Sequence, residues 1–135
     1  MPLDAERFHW TKNFPLSLQA AGFVMMLLSA FFFFRSFKDN HYLSALVRLQ
    51  EEKKHQVVTT GVYSFVRHPM YLGALLMFIG APMLLASGYG IAIGIGITLL
   101  LAFRTIGEEK MLLQELDGYE EYKMKVRFRF LPFIW

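Results

Sequence analysis

The chain has no cysteine. That excludes disulfides, thiolate metal sites and cysteine nucleophiles, and it leaves the compartment open. Charge is also missing over long stretches. Leu16 to Phe34 carries none, and from Pro69 to Gly107 the only charged side chain is Arg104. Acidic residues are outnumbered, 11 against 14 basic ones. The resulting formal charge of +3 and pI near 9.3 raise the possibility of nucleic acid. Lys and Arg flank apolar runs instead of forming one basic face, so no nucleic-acid partner is expected. What is abundant is apolar surface, at 55% of 135 residues with 16% aromatic. One domain embedded in a lipid bilayer is expected, without a large soluble core and without a metal.

The uncharged runs set the organisation. Phe8, Trp10 and Phe14 are placed as interface aromatics ahead of a first span at Leu16–Phe34, which approaches the roughly 20 residues a bilayer requires. Arg35 and Lys38 close it. Tyr42 to Lys54 has Leu43, Leu46 and Leu49 at helical spacing, read either as a surface helix or as a continuation of the first span into water. Val57 to Gly61 reads as extended loop. From Pro69 onward, the turn-like Ser87-Gly88-Tyr89-Gly90 divides the second run into two short spans, a transmembrane hairpin. Pro82 is expected to kink its first helix, and Gly90 and Gly94 form a small-xxx-small pair for close helix contact. No G-x-G-x-x-G follows a strand, so a nucleotide loop does not account for these glycines. Arg104 to Leu116 reads as a helix leaving the membrane. Asp117 with Glu120 suggests a capping box opening a last helix that sets Tyr119, Tyr122 and Val126 on one face. The basic and aromatic tail Lys123–Trp135 reads as an anchor in the headgroup layer.

The fold class expected is therefore all-α, an integral membrane protein of about three transmembrane helices with interfacial helices. It divides into a span and surface helix over 1–56 and a core over 57–135. Asp4 and Glu6 sit where a cleaved signal would be basic, so none is expected. Basic residues fall two before the first span, six in the central loop and six from Arg104 on, with none at the hairpin tip. The positive-inside bias puts the central loop and the C-terminal segment on the cytoplasmic side and the N-terminus outside. Arg67-His68 and Glu108-Glu109 would then share one face of the membrane.

Pro69 suits the first turn of a helix, where its missing N–H breaks no bond. A helix start beside Arg67 and His68 attracts anions. Arg104 and Glu108 are four residues apart and share a helix face. Taken singly, each feature is more often a surface ion pair, a solvated face or a structural histidine. Together, an anion-attracting helix start and a carboxylate pair at one leaflet suit a ligand with both a carboxylate and positive charge.

At these residues the chain resembles the isoprenylcysteine carboxyl methyltransferase family and the related membrane phospholipid methyltransferases. The matching elements are Thr60-Gly61-Val62-Tyr63, Arg67-His68-Pro69-Met70-Tyr71-Leu72-Gly73, Arg104 with Glu108-Glu109, and Gly118-Tyr119-Glu120-Glu121-Tyr122 leading to Pro132. The resemblance implies an S-adenosylmethionine-dependent methyltransferase in the membrane, taking a lipophilic small-molecule or lipid-linked acceptor from the bilayer. It implies cofactor-binding roles for Gly61, His68, Pro69, Met70, Tyr71 and Glu108, and a substrate-orienting role for Arg104. A carboxylate acceptor, as in an isoprenylcysteine-like molecule, is already ionised and needs no base. An amine or thiol acceptor would be helped by one, and Glu109 is the nearest candidate. Related chains have further spans upstream, so the chain is read as a minimal or truncated member. Two other readings remain at this point: an NADPH-dependent membrane reductase of sterol-reductase type, and a non-catalytic membrane scaffold. The acceptor and the oligomeric state are not legible.

Overall fold

The computed structural model describes residues 13–40 and 56–135. The helix expected at Tyr42–Lys54 and the aromatics Phe8 and Trp10 lie outside them. Among the described residues four α-helices follow one another: α1 at Leu16–Asp39, α2 at Pro69–Leu84, α3 at Gly88–Glu115 and α4 at Tyr119–Lys125, with a 3-10 turn at Gly61–Ser64 ahead of α2. Among the described residues there is no strand. The all-α expectation holds.

The first span continues past Phe34, because the helix carries its charged end outward to Asp39. There Asp39 meets Arg35 at 3.0 Å and accepts the Val62 N–H at 3.0 Å, which ties the end of α1 to the 3-10 turn. Gly61 opens that turn at φ +62°, and a Cβ there would run into the Asp39 carboxylate. Glycine is needed for both reasons.

α1 and α3 have 24 and 28 residues and are long and apolar enough to cross a bilayer. In each, only 11% of the most apolar window is buried within the protein. The core helix of a soluble protein would be mostly covered. Here Phe23, Leu27, Phe31, Ile93, Leu99 and Leu100 face outward, as lipid-facing side chains do. α2 has 16 residues, about 24 Å of helix, which falls short of a roughly 30 Å core. The spans expected at about three thus take the form of two full-length candidates and a shorter apolar helix.

The hairpin turns slightly earlier than its glycines suggest. Leu85–Ser87 makes the bend, with Ala86 at φ +53°, and Gly88–Gly90 already belong to α3. The Ser87 hydroxyl accepts the Gly90 N–H at 3.1 Å, satisfying a donor that the first turn leaves open. Pro82 lies inside α2 and does not end it. Small residues bring the helices together. A Cβ on Gly94 would strike the Phe78 carbonyl of α2, and one on Gly80 would lie 2.8 Å from the Met25 Cβ of α1. Ser29 adds a buried hydrogen bond from its hydroxyl to the Gly73 carbonyl at 2.7 Å.

α4 does not begin with the capping box expected of Asp117 and Glu120. Its N-cap is Gly118 at φ +83°, and no side chain caps it. The residue that opens α4 is in the left-handed region, which glycine adopts without strain, so the start falls on Gly118 and not on Asp117. Tyr119, Tyr122 and Val126 do share one face, packed on Val62 and Tyr63. The tail is more than an anchor. Phe130 is buried with Val66, Tyr71 and Leu72. The Arg67 and His68 amides donate to the Phe128 and Arg129 carbonyls at 2.9 and 2.7 Å.

Candidate functional site

Two adjacent carboxylates on one helix point about 100° apart, so Glu108 and Glu109 cannot serve the same spot. The structure gives them separate partners. Glu109 is 3% exposed and takes three donors: Arg67 Nε at 2.7 Å and His68 Nε2 at 3.3 Å on one oxygen, and Arg129 Nε at 2.9 Å on the other. A buried carboxylate is tolerated only when paired and hydrogen-bonded in this way. Arg67 reaches on to the Val126 and Arg127 carbonyls at 2.9 and 3.2 Å. Glu109 therefore joins α3, the segment before α2 and the C-terminal tail at one point.

Glu108 accepts the Tyr71 hydroxyl at 2.5 Å. The His68 ring stacks on Tyr71 with centroids 5.5 Å apart, so the first turn of α2 and the end of α3 meet through an aromatic pair and a carboxylate. His68 occupies the N-cap position and Pro69 the first helical one, as its fixed φ allows. The Tyr122 hydroxyl donates to the Tyr63 carbonyl at 2.6 Å and holds α4 over the 3-10 turn.

These elements enclose a cleft whose lining includes Tyr63, His68, Pro69, Met70, Tyr71, Glu108, Leu112, Tyr119 and Tyr122. Five of the six residues expected to bind a cofactor thus line one cleft. Gly61 does not; it shapes the turn behind Tyr63. Arg104 is exposed and does not line the cleft, and it lies one helical turn before Glu108 on α3. Glu109 also stays outside the lining, its oxygens occupied by cationic donors. That is poor placement for a base, because a carboxylate so held gives up its lone pairs to the arginines. Burial raises the Tyr63, Tyr119 and Tyr122 hydroxyls above their ordinary range, so the wall they form is neutral. Among the described residues, the Tyr119 hydroxyl is buried with no hydrogen-bond partner. A buried hydroxyl without a partner is an exception to the rule that buried polar groups are hydrogen-bonded.

Tyr119, Tyr122 and Leu112 carried no role at the level of sequence. The Tyr spacing on α4 was visible, but which cavity that face would close depended on the left-handed turn at Gly118.

Fold and site together define a class: a helical membrane protein with a polar, aromatic-walled cleft at one end of its apolar helices. The family model described as phospholipid methyltransferase matches residues 18–118. The protein-S-isoprenylcysteine O-methyltransferase of Saccharomyces cerevisiae is 38% identical over 96 residues, 70% of this chain and 40% of the relative. Protein-S-isoprenylcysteine O-methyltransferase B of Arabidopsis thaliana is 30% identical over 119 residues, 87% of this chain and 57% of the relative. The solved structure of the eukaryotic intramembrane Ras methyltransferase, isoprenylcysteine carboxyl methyltransferase, superposes with a TM-score of 0.75 at 27% identity, covering 94% of this chain and 44% of that one. The chain belongs to the phospholipid methyltransferase family, on its isoprenylcysteine carboxyl methyltransferase branch. It spans about half the length of the relatives it matches.

Proposed function

We propose that the protein is a membrane methyltransferase that binds S-adenosylmethionine in the cleft between α2, α3 and α4 and methylates a lipophilic acceptor. The observation that carries this reading is the direct meeting of the His68–Tyr71 turn with Glu108 in the lining of a cleft that Tyr119, with its unpartnered hydroxyl, also lines. When bound, the cofactor supplies an electrophilic methyl group on a sulfonium. The chain's own residues fit its remaining groups. The N-terminal end of α2, with Arg67 behind it, suits a carboxylate. Glu108 suits an ammonium or ribose hydroxyls, and Tyr119 offers a hydroxyl to a polar edge. Tyr63, Leu112 and Tyr122 exclude water from the reacting centre, where alignment contributes most of the acceleration in a direct displacement.

The acceptor we propose is a carboxylate on an isoprenyl-type lipid, as in the named relatives. It is ionised at neutral pH, so no base is required, and Arg104 orients it by a forked pair of hydrogen bonds. Glu109 holds Arg67 and His68 in place and is not assigned the role of base. The central loop and C-terminus lie on the cytoplasmic side, with the N-terminus outside, as the basic residues require.

Titration of the protein in nanodiscs with S-adenosylhomocysteine tests the cofactor. Binding is expected for the wild type and should weaken about tenfold or more in Glu108→Gln, the scale of one charge-assisted hydrogen bond. Binding of NADPH in its place, or of neither by folded protein, would overturn the proposal. Transfer of labelled methyl to a farnesylated cysteine analogue tests the acceptor. Arg104→Ala is expected to lower transfer while leaving S-adenosylhomocysteine affinity unchanged.

A further inference from the structure

A second cleft lies on the other side of Arg67, between α4 and the tail, with Lys123, Arg127 and Arg129 on its polar wall and Phe128, Ile134 and Trp135 on its apolar one. Its cations are not equally occupied. Arg67 and Arg129 discharge onto Glu109, and Arg129 also lies over the Trp135 ring at 4.3 Å. Among the described residues, Lys123 and Arg127 have no carboxylate within 4.0 Å. Two unneutralised cations beside an apolar wall suit a ligand that is anionic at one end and greasy at the other.

Depth in the membrane narrows the ligand. Arg129 is bonded to Glu109, which sits on α3 past the last uncharged stretch, so with α3 crossing the bilayer the cleft would lie at the level of the headgroups. Next to it Met124, Phe133 and Ile134 are 69%, 80% and 79% exposed. Large apolar side chains displayed beside Lys123, Lys125 and Arg127 are costly in water and favourable where acyl chains begin. We propose that this cleft seats the phosphate of an anionic phospholipid of the surrounding bilayer between Lys123 and Arg127, with an acyl chain along Phe128 and Ile134. The site does not depend on the methyltransferase reading; it needs only the membrane placement and these side chains. Through Arg67 and Arg129, the lipid would lie against the two arginines that share Glu109 with His68.

Trp135 reports on the site directly. The chain has two tryptophans, so Trp10→Phe leaves Trp135 alone. In nanodiscs containing brominated phosphatidylglycerol, Trp135 fluorescence is expected to be quenched more than with the same mole fraction of brominated phosphatidylcholine. Each cation near an anionic surface is worth roughly a fivefold enrichment, so Lys123→Gln with Arg127→Gln should cut the excess about twenty-five-fold. The conservative pair Lys123→Arg with Arg127→Lys should retain it. Equal quenching by the two lipids in the wild type overturns the proposal without any variant. An excess abolished by millimolar inorganic phosphate at constant ionic strength would make this a site for free anions, and that too overturns the lipid assignment.

Discussion

At the scale of single residues, the two adjacent glutamates make the sharpest contrast. Glu109 is buried against two arginines, and removing its charge leaves both cations without their partner, a loss of about 3–5 kcal/mol. Glu108 holds one tyrosine hydroxyl in a part-buried position, worth roughly 1 kcal/mol. Glu109→Gln is therefore expected to lower the thermal midpoint far more than Glu108→Gln, measured by circular dichroism in nanodiscs; similar midpoints would mean that the Glu109 cluster is not a structural hub. A second residue-scale expectation concerns alkali. Burial raises Tyr63, Tyr119 and Tyr122 above the ordinary 10.0, so the unfolded chain loses these protons first. A group with a raised folded pKa contributes stability that is intact below pH 10 and declines as pH climbs from there. The midpoint should fall from pH 10 upward, and less steeply in Tyr119→Phe, whose hydroxyl gives up no hydrogen bond. An unchanged slope would place Tyr119 in water. The motif residues His68, Tyr71 and Glu108 were singled out in the sequence through the family resemblance, whose motifs are short contiguous runs around each of them. The hub at Glu109 was not, since Arg129 reaches it from 20 positions away through a tail without periodicity.

At the scale of helices, glycine marks contact in some places and nothing in others. A Cβ on Gly94 meets the Phe78 carbonyl, whereas one on Gly96, on the same helix, meets nothing within 4 Å. Gly94→Ala must push α2 from α3 and should cost about 1–3 kcal/mol, as overpacking does. Gly96→Ala should be neutral or add a few tenths, because alanine is the better helix former. Comparing the two midpoints separates packing from propensity; equal behaviour would mean that the helices do not approach at Gly94. The small-xxx-small pattern at Gly90 and Gly94 announced this contact, but Gly22 against Gly80 did not announce itself. A single glycine on α1 and two on α2 seven residues apart carry no small-xxx-small register, so their meeting depends on how α1 and α2 cross. The same limit applies at α4. Its buried tyrosine face was visible as a spacing, while its start was misassigned to Asp117, because a capping pattern and a left-handed reversal compete for the same few residues.

At the scale of the whole molecule, the structure separates two ends. The cleft, the Glu109 cluster and the tail gather where α1 and α3 carry their charged ends, and the Leu85–Ser87 bend lies at the opposite end of α2. The proposed topology puts the first end in the cytoplasm and the bend outside. The absence of cysteine makes this easy to test, because any introduced thiol is the only one. Lys38 and Arg127 are exposed near the cleft end, and Leu85 is half exposed at the bend. In intact cells, a membrane-impermeant maleimide is expected to label Leu85→Cys alone, and to label Lys38→Cys and Arg127→Cys only after permeabilisation. The inverse pattern would reverse the orientation and leave the site as built. Labelling of Lys38→Cys and Arg127→Cys from different sides would do more damage, since the Asp39–Val62 bond and the Arg67–Phe128 pairing tie both to one end of the bundle.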